Sequence, residues 1–182
     1  MSVPPAYLGL WRRSVIRRAS GVEDRSTRVL WFQGPRYHID LRIPAPPFDP
    51  AAQIAFAGTT VVAGARCEWH SEIGFPALSG ATDAGIMRFD TADALHEAGL
   101  DGSYDEDWAR IDAGPVREQR EDGANGEVRY LLSSASHLAW AIGRPGDSYP
   151  EGPIEVGFAR REGQGWRIIA CSNAAREGGW ST

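Results

Sequence analysis

The stretch Arg36-Tyr37-His38-Ile39-Asp40-Leu41-Arg42-Ile43 decides the fold of this chain. Read with a period of two, it puts Arg36, His38, Asp40 and Arg42 on one face and Tyr37, Ile39, Leu41 and Ile43 on the other. Successive side chains of a strand point to opposite sides, so the alternation predicts a β-strand with one polar and one apolar face. A second stretch, Arg66-Cys67-Glu68-Trp69-His70-Ser71-Glu72-Ile73, behaves alike: Arg66, Glu68, His70 and Glu72 oppose Cys67, Trp69 and Ile73. In a closed barrel such a polar face can line a cavity instead of meeting bulk water.

Working outward, residues 7–18 read as a first strand and 27–33 as a strand apolar on both faces, Val29 and Trp31 against Leu30 and Phe32. A strand of that kind is central or covered on both sides. Gly34-Pro35 then makes the tight turn of an antiparallel hairpin into 36–43, and Pro44-Ala45-Pro46-Pro47 stops that strand. Asp49 as N-cap and Pro50 in a first turn predict a short helix over 51–57. Residues 59–73 read as one long strand with a bulge at Gly64, followed by a loop over 76–82 and a strand over 85–89. The pattern leaves 90–96 undecided and allows strand or a helical turn over 101–108. Strands follow at 116–120, 128–133, 137–142 and 154–161, and Gly163-Gln164-Gly165 turns the chain into 166–171. Residues 173–182 form a polar, Gly-rich tail expected to be mobile. About nine or ten short strands with one short helix predict a mainly-β domain spanning 1–182, a sandwich or a closed antiparallel barrel.

Composition excludes several chemistries. The 182 residues are 42% hydrophobic and 24% charged, as in ordinary globular domains, and 21 Gly with 12 Pro supply the turns of a β fold. Lysine is absent, so all 19 basic residues are arginine. Arginine offers no neutral amine, which rules out Schiff-base chemistry, a lysine-bound pyridoxal cofactor and a phosphate loop with its lysine. A net charge of −5 with dispersed arginines argues against nucleic acid. No tract is apolar enough for a membrane span and Met1-Ser2-Val3-Pro4-Pro5 lacks the order of a secretory leader, so the expected location is cytoplasmic. Cys67 and Cys171 are expected as reduced core thiols.

Asp40 and Arg42 stand two apart on one strand face, about 7 Å at the backbone. Such a pair serves as a structural ion pair or holds a polar ligand, the guanidinium meeting an anion bidentately. Glu68, His70 and Glu72 share a face and could meet His38 and Asp40, with His70 as acid/base oriented by Glu72 or Asp40. Their spacings are too common to specify a metal site, and none is expected. No nucleophile elbow and no dinucleotide-binding glycine motif occurs, so no cofactor is expected. Trp11, Trp31, Trp69, Trp108, Trp140 and Trp166 read mainly as core, with at least two lining a pocket.

Gly9-Leu10-Trp11 resembles the Gly-x-Trp signature of lipocalin-like (calycin) barrels. That resemblance implies an arginine from a late strand over the Trp, with Arg160, Arg161 and Arg167 as candidates. A wider set is similar to a family of small bacterial proteins related to the fungal Hri-type proteins, which are calycin-like barrels. It comprises Trp11 with Arg13, Asp24 and Thr27, Trp31 with Gln33, Asp40-Leu41-Arg42-Ile43-Pro44, Cys67-x-Trp69-His70, Asp83-x-Gly85-x-Met87 and Tyr104-x-Glu106-x-Trp108. The resemblance spans residues 7–108 and implies a fold and a pocket, with no catalytic residue carried over.

The expected protein is therefore a calycin-type barrel that binds a small molecule, apolar or aromatic with a polar or anionic head. Its candidate contacts are Arg13, Trp31, His38, Asp40, Arg42, Glu68, Trp69, Tyr104 and Trp108. The alternative is a cofactor-independent isomerase, lyase or hydrolase, with His70 and Glu72 as catalytic residues and Arg42 stabilising an anion. A third reading makes it an interaction protein with a wet polar sheet face. Expected partners are the small molecule and, at most, a second copy in a homodimer.

Overall fold

The computed structural model describes residues 2–47, 49–76, 83–147 and 154–181. The chain opens with β1 (Gly9–Arg18), the two-residue β2 (Glu23–Asp24), β3 (Arg28–Gln33), β4 (Tyr37–Ile43), β5 (Ile54–Ala63) and β6 (Arg66–Phe75). It continues through β7 (Asp83–Thr91), β8 (Ala94–Gly99) and β9 (Tyr104–Asp112). Neighbours pair antiparallel in the order β1-β3-β4-β5-β6-β7-β8-β9, and β9 returns to pair with β1. Eight strands thus close a barrel, with β2 appended to the end of β1. Closure pairs each of these eight strands on both sides among the described residues.

The expectation of a mainly-β chain with a closed antiparallel barrel and little helix holds. The late strands, however, lie outside the barrel. β10 (Arg117–Asp122), β11 (Val128–Ser133), β12 (His137–Gly143), β13 (Glu155–Glu162), β14 (Gly165–Cys171) and β15 (Trp180–Ser181) form a separate antiparallel sheet in chain order. That sheet lies against the outer wall of the barrel. Leu10, Leu30, Phe32, Ile39, Leu41 and Ile73 from the barrel pack with Tyr130, Leu132, Val156 and Phe158 from the sheet in one buried cluster. A second cluster, with Trp11, Val29, Trp31, Cys67, Trp69, Met87, Leu95 and Trp108, fills the barrel interior. β3 explains its two apolar faces in this way: Val29 and Trp31 point in, Leu30 and Phe32 out under the second sheet.

Local readings divide accordingly. The Gly34-Pro35 hairpin forms as expected, Gly34 N–H donating to the Tyr37 carbonyl at 2.8 Å. Asp49 caps its turn by accepting from Ala51 N–H at 3.0 Å. The helix expected over 51–57 stops after a single 3-10 turn, Pro50–Ala52. From Ile54 the residues form β5, because Ala55 and Ala57 are buried against the second sheet while Phe56 enters the barrel. The long strand expected over 59–73 is a hairpin: Gly64, at φ +61°, turns the chain between Ala63 and Arg66. The bulge lies elsewhere. Pairing passes from Gly58↔Ser71 to Ala57↔Ile73, leaving Glu72 as the extra residue. Cys67 and Trp69 therefore face inward, but Ile73 and Phe75 face the second sheet. The undecided segment after 89 continues β7 and turns into β8, and residues 104–112 are strand throughout. The tail holds a 3-10 turn, Ala174–Arg176, and β15 pairs with β14. Residues 77–82 of the expected loop lie outside the described residues.

Candidate functional site

The barrel register brings polar groups together around one recess. Directly paired residues of adjacent strands share a face, and the pairs include Trp31↔Asp40, Asp40↔Phe56, Arg13↔Trp108 and Glu97↔Glu106. The recess they form is lined by Trp31, Asp40, Arg42, Phe56, Trp69, Glu97 and Trp108. Its enclosed space is ≈ 10 Å³, room for one water-sized group, within a concavity of ≈ 220 Å³ that opens to solvent.

The charges here are arranged asymmetrically. Arg42 Nε donates to Asp40 Oδ1 at 2.9 Å, its Nη2 stands 3.6 Å from Asp83 Oδ2, and its guanidinium lies 5.0 Å over the Phe56 ring. Arg13 Nη1 donates to Glu106 Oε1 at 2.7 Å, and its Nη2 is 3.8 Å from Asp24 Oδ2. Glu97 has neutral donors instead: Tyr104 Oη gives a hydrogen bond to Oε1 at 2.9 Å and Trp108 Nε1 one to Oε2 at 3.1 Å. Four aromatic rings frame the recess. Trp31 meets the Trp69 and Trp108 rings edge-on at 5.6 and 5.7 Å. Nearby, Thr60 Oγ1 donates to Gln33 Oε1 at 2.9 Å, so the 3.0 Å contact to His38 Nδ1 has the imidazole as donor. His38 Nε2 is buried without a hydrogen bond.

Burial dominates the titration of these groups. It lowers the His38 pKa to about 3, keeping the imidazole neutral. It raises Asp40 to about 6 against the opposing pull of Arg42. It raises Glu97 to about 8, and the charge of Glu106 adds to the rise. A carboxyl whose pKa is higher folded than unfolded binds its proton more tightly in the native state. Its contribution to stability is therefore complete below the ordinary glutamate range and is lost as pH rises through about 8. Glu97→Gln removes this titration while leaving Asp40 in place. The variant should overtake the wild type in stability towards alkaline pH, read as urea midpoints between about pH 5 and pH 9. Parallel curves for the two proteins would show that Glu97 is not held in this state.

Of the residues expected from sequence, Arg13, Trp31, His38, Asp40, Arg42, Trp69, Tyr104 and Trp108 all belong to the barrel interior. Three do not. His70 stands on the outer wall with its side chain 43% exposed, bonded through Nε2 to Glu68 at 3.1 Å. Glu68 also accepts from Arg66 at 2.6 Å. Glu72 joins the barrel to the second sheet, accepting from Arg120 Nε and Nη2 at 2.8 and 2.6 Å and from Tyr130 Oη. The reason is one of phase: on β6 the apolar face, Cys67 and Trp69, turns inward, so the polar face turns out. His70 and Arg42 consequently stand on opposite sides of the barrel wall, and the acid/base pairing expected from sequence is not assembled. Phe56, Glu97 and Glu106 were missed. Leu95-x-Glu97-x-Gly99 and Tyr104-x-Glu106-x-Trp108 carried the signal, a lone carboxylate on an otherwise apolar strand face.

Other clusters serve the scaffold. Asp112 Oδ2 meets His137 Nδ1 at 2.8 Å and accepts from Ser134 Oγ at 2.5 Å and from Ser136 Oγ, tying the barrel to the β11–β12 hairpin. His96, Asp105 and Asp107 have metal-ligand spacing on the outer wall, but Arg17 already bonds both aspartates at 2.9 and 2.7 Å. Larger recesses lie on the surface, one of ≈ 320 Å³ beside Arg28, Pro44 and Glu177 and others around Trp140. They gather fewer buried charges. Trp11 is indeed covered by an arginine, 4.5 Å over the ring, but it is Arg110 of β9 and not Arg160, Arg161 or Arg167, which belong to the second sheet. Arg110 also donates to the Leu8 and Ala6 carbonyls at 3.1 and 2.8 Å. Among the described residues no helix is long and apolar enough to cross a membrane.

By fold, then, the chain is a closed antiparallel β-barrel protein with a second sheet packed on its wall. No protein-family model matches it, and no curated protein matches its sequence significantly. Its fold is similar to that in the crystal structure of uncharacterized protein YLR301w from Saccharomyces cerevisiae. The TM-score is 0.67 at 12% identity, covering 89% of this chain and 84% of that one.

Proposed function

We propose that this protein is a calycin-type barrel that binds a small organic molecule in the recess at Trp31, Trp69 and Trp108. The observation that carries the reading is the burial of Asp40 and Glu97, beside the half-buried Arg42, in an aromatic-walled hollow that opens to solvent. Buried ionisable groups are costly to the fold, and a hollow lined by aromatic rings with a few convergent polar groups is the usual form of a ligand site. Trp31, Phe56, Trp69 and Trp108 would hold the apolar or aromatic part, with the polar head at Asp40, Arg42 and Glu97. The calycin assignment draws support from Gly9-Leu10-Trp11 with Arg110 over the Trp ring. A reducing, cytoplasmic setting suits two buried free thiols, Cys67 and Cys171. Binding is preferred over catalysis because His70 and Glu72 lie outside the recess.

Native mass spectrometry of freshly purified protein tests the proposal. A co-purified small molecule should appear as added mass that denaturation releases, and Trp69→Ala should carry much less of it. Added mass that Trp69→Ala retains in full would place the ligand elsewhere and overturn the reading.

A further inference from the structure

The interior charges say which kind of head group the recess accepts. Sequence suggested an anion at Arg42. Inside the barrel, though, both guanidiniums are already engaged: Arg42 with Asp40 and Asp83, Arg13 with Glu106 and Asp24. Among the described residues no guanidinium pairs with Glu97, and the charge of Arg42, which is bonded to Asp40, reaches it only through space. Glu97 is 4% exposed, lines the recess, and has only the neutral donors of Tyr104 and Trp108 at its oxygens. An anion entering here would meet carboxylates, and an unpaired carboxylate buried without a counter-charge is strongly disfavoured.

We propose that the recess is a receptor for a primary ammonium group, R–NH₃⁺, seated against Glu97 with its hydrocarbon stem running outward through the wider concavity that opens to solvent. This deepens the small-molecule reading above and rests on it. The dimensions agree. The enclosed space of ≈ 10 Å³ suits a group the size of a water molecule, and an ammonium head is that size, whereas a carboxylate or phosphate is larger. The walls agree as well, because indole faces attract cations and the effect strengthens where water is excluded. The three donors of an ammonium can divide between Glu97 and the neighbouring Asp40. Burial raises the Glu97 pKa to about 8, so capture of the cation near neutral pH would expel its proton to solvent.

Three probes of similar shape separate the head groups: 2-phenylethylamine, 2-phenylethanol and 3-phenylpropanoate, titrated against intrinsic tryptophan fluorescence. The amine should bind at least tenfold more tightly than the alcohol, and the acid should bind least. The amine stays charged below its own high pKa, which resembles that of lysine. Its affinity should therefore rise with pH between about 6 and 8 as Glu97 loses its proton. Glu97→Gln should abolish that preference and its pH dependence, with circular dichroism reporting whether the variant is folded. If it is not, the pH profile of the wild type decides alone. Equal or tighter binding of the alcohol or the acid would overturn the ammonium assignment and leave the ligand pocket standing. A fluorescence response to none of the three, up to millimolar concentration, would overturn this inference, and co-purified mass that Trp69→Ala abolishes would still stand for the pocket itself.

Discussion

Replacing Trp31 by alanine should destabilise the protein by about 3–5 kcal/mol, the range for emptying a large aromatic site in a packed core. The ring is 2% exposed and lies at the centre of the barrel interior. It stacks on Trp11 at 6.1 Å and meets Trp69 and Trp108 edge-on, while its Nε1 donates to Gln33 Oε1 at 3.2 Å. Removal would leave a hole that the strands cannot close, because the outside of β3 is pinned by Leu30 and Phe32 under the second sheet. The Gln33 carbonyl would keep Thr60 as a donor, so most of the loss is packing. Urea unfolding of Trp31→Ala and Trp31→Phe, followed by far-ultraviolet circular dichroism, gives the measurement. Phenylalanine should recover a large part of the loss. A penalty under about 1 kcal/mol for alanine would mean that the interior is not packed around this ring.

The second large effect belongs to Gly9. Its φ is +118°, and a Cβ there would sit 2.1 Å from the Asp112 carbonyl oxygen. Strain and overpacking together predict a loss of about 3 kcal/mol for Gly9→Ala. The cost falls where the barrel closes, since Leu10 pairs with Asp112 across β1 and β9. Gly21 is the control: its φ is +86° but nothing lies within 4 Å of its added Cβ. Gly21→Ala should lose only about 1 kcal/mol, from backbone strain alone. Equal losses at the two positions would show that the approach to Asp112 is not what makes glycine necessary. This contact also gives the Gly-x-Trp motif a physical meaning. The glycine lets β9 draw close, and β9 brings Arg110 over Trp11.

Much of the scaffold was legible in the residues themselves. Period-two alternation located β1, β3, β4 and the later hairpins but left β8 and β9 undecided, Gly34-Pro35 marked its hairpin, and Asp49-Pro50 marked its turn. The length of that turn was not legible, because capping residues announce where a helix can start and not whether tertiary contacts continue it. In sequence Gly64 suits a bulge as well as a turn, because a glycine inside a strand pattern has both meanings, and only its φ of +61° separates them. The true bulge, at Glu72, left no mark in the sequence. It depends on how two strands slide against each other.

The division is sharpest at β4 and β6. Sequence determined that each strand has two unlike faces, and that Arg13, Trp31, Asp40, Arg42 and Trp108 could converge. It could not determine which face of a strand turns inward. On β4 the polar face, His38, Asp40 and Arg42, went in, because Ile39, Leu41 and Ile43 found burial outside, beneath the second sheet. On β6 the apolar Cys67 and Trp69 went in, and His70 was left in water. An apolar face needs only to be covered, and here two different surfaces cover it. That choice was made by the packing of the sheet on the barrel.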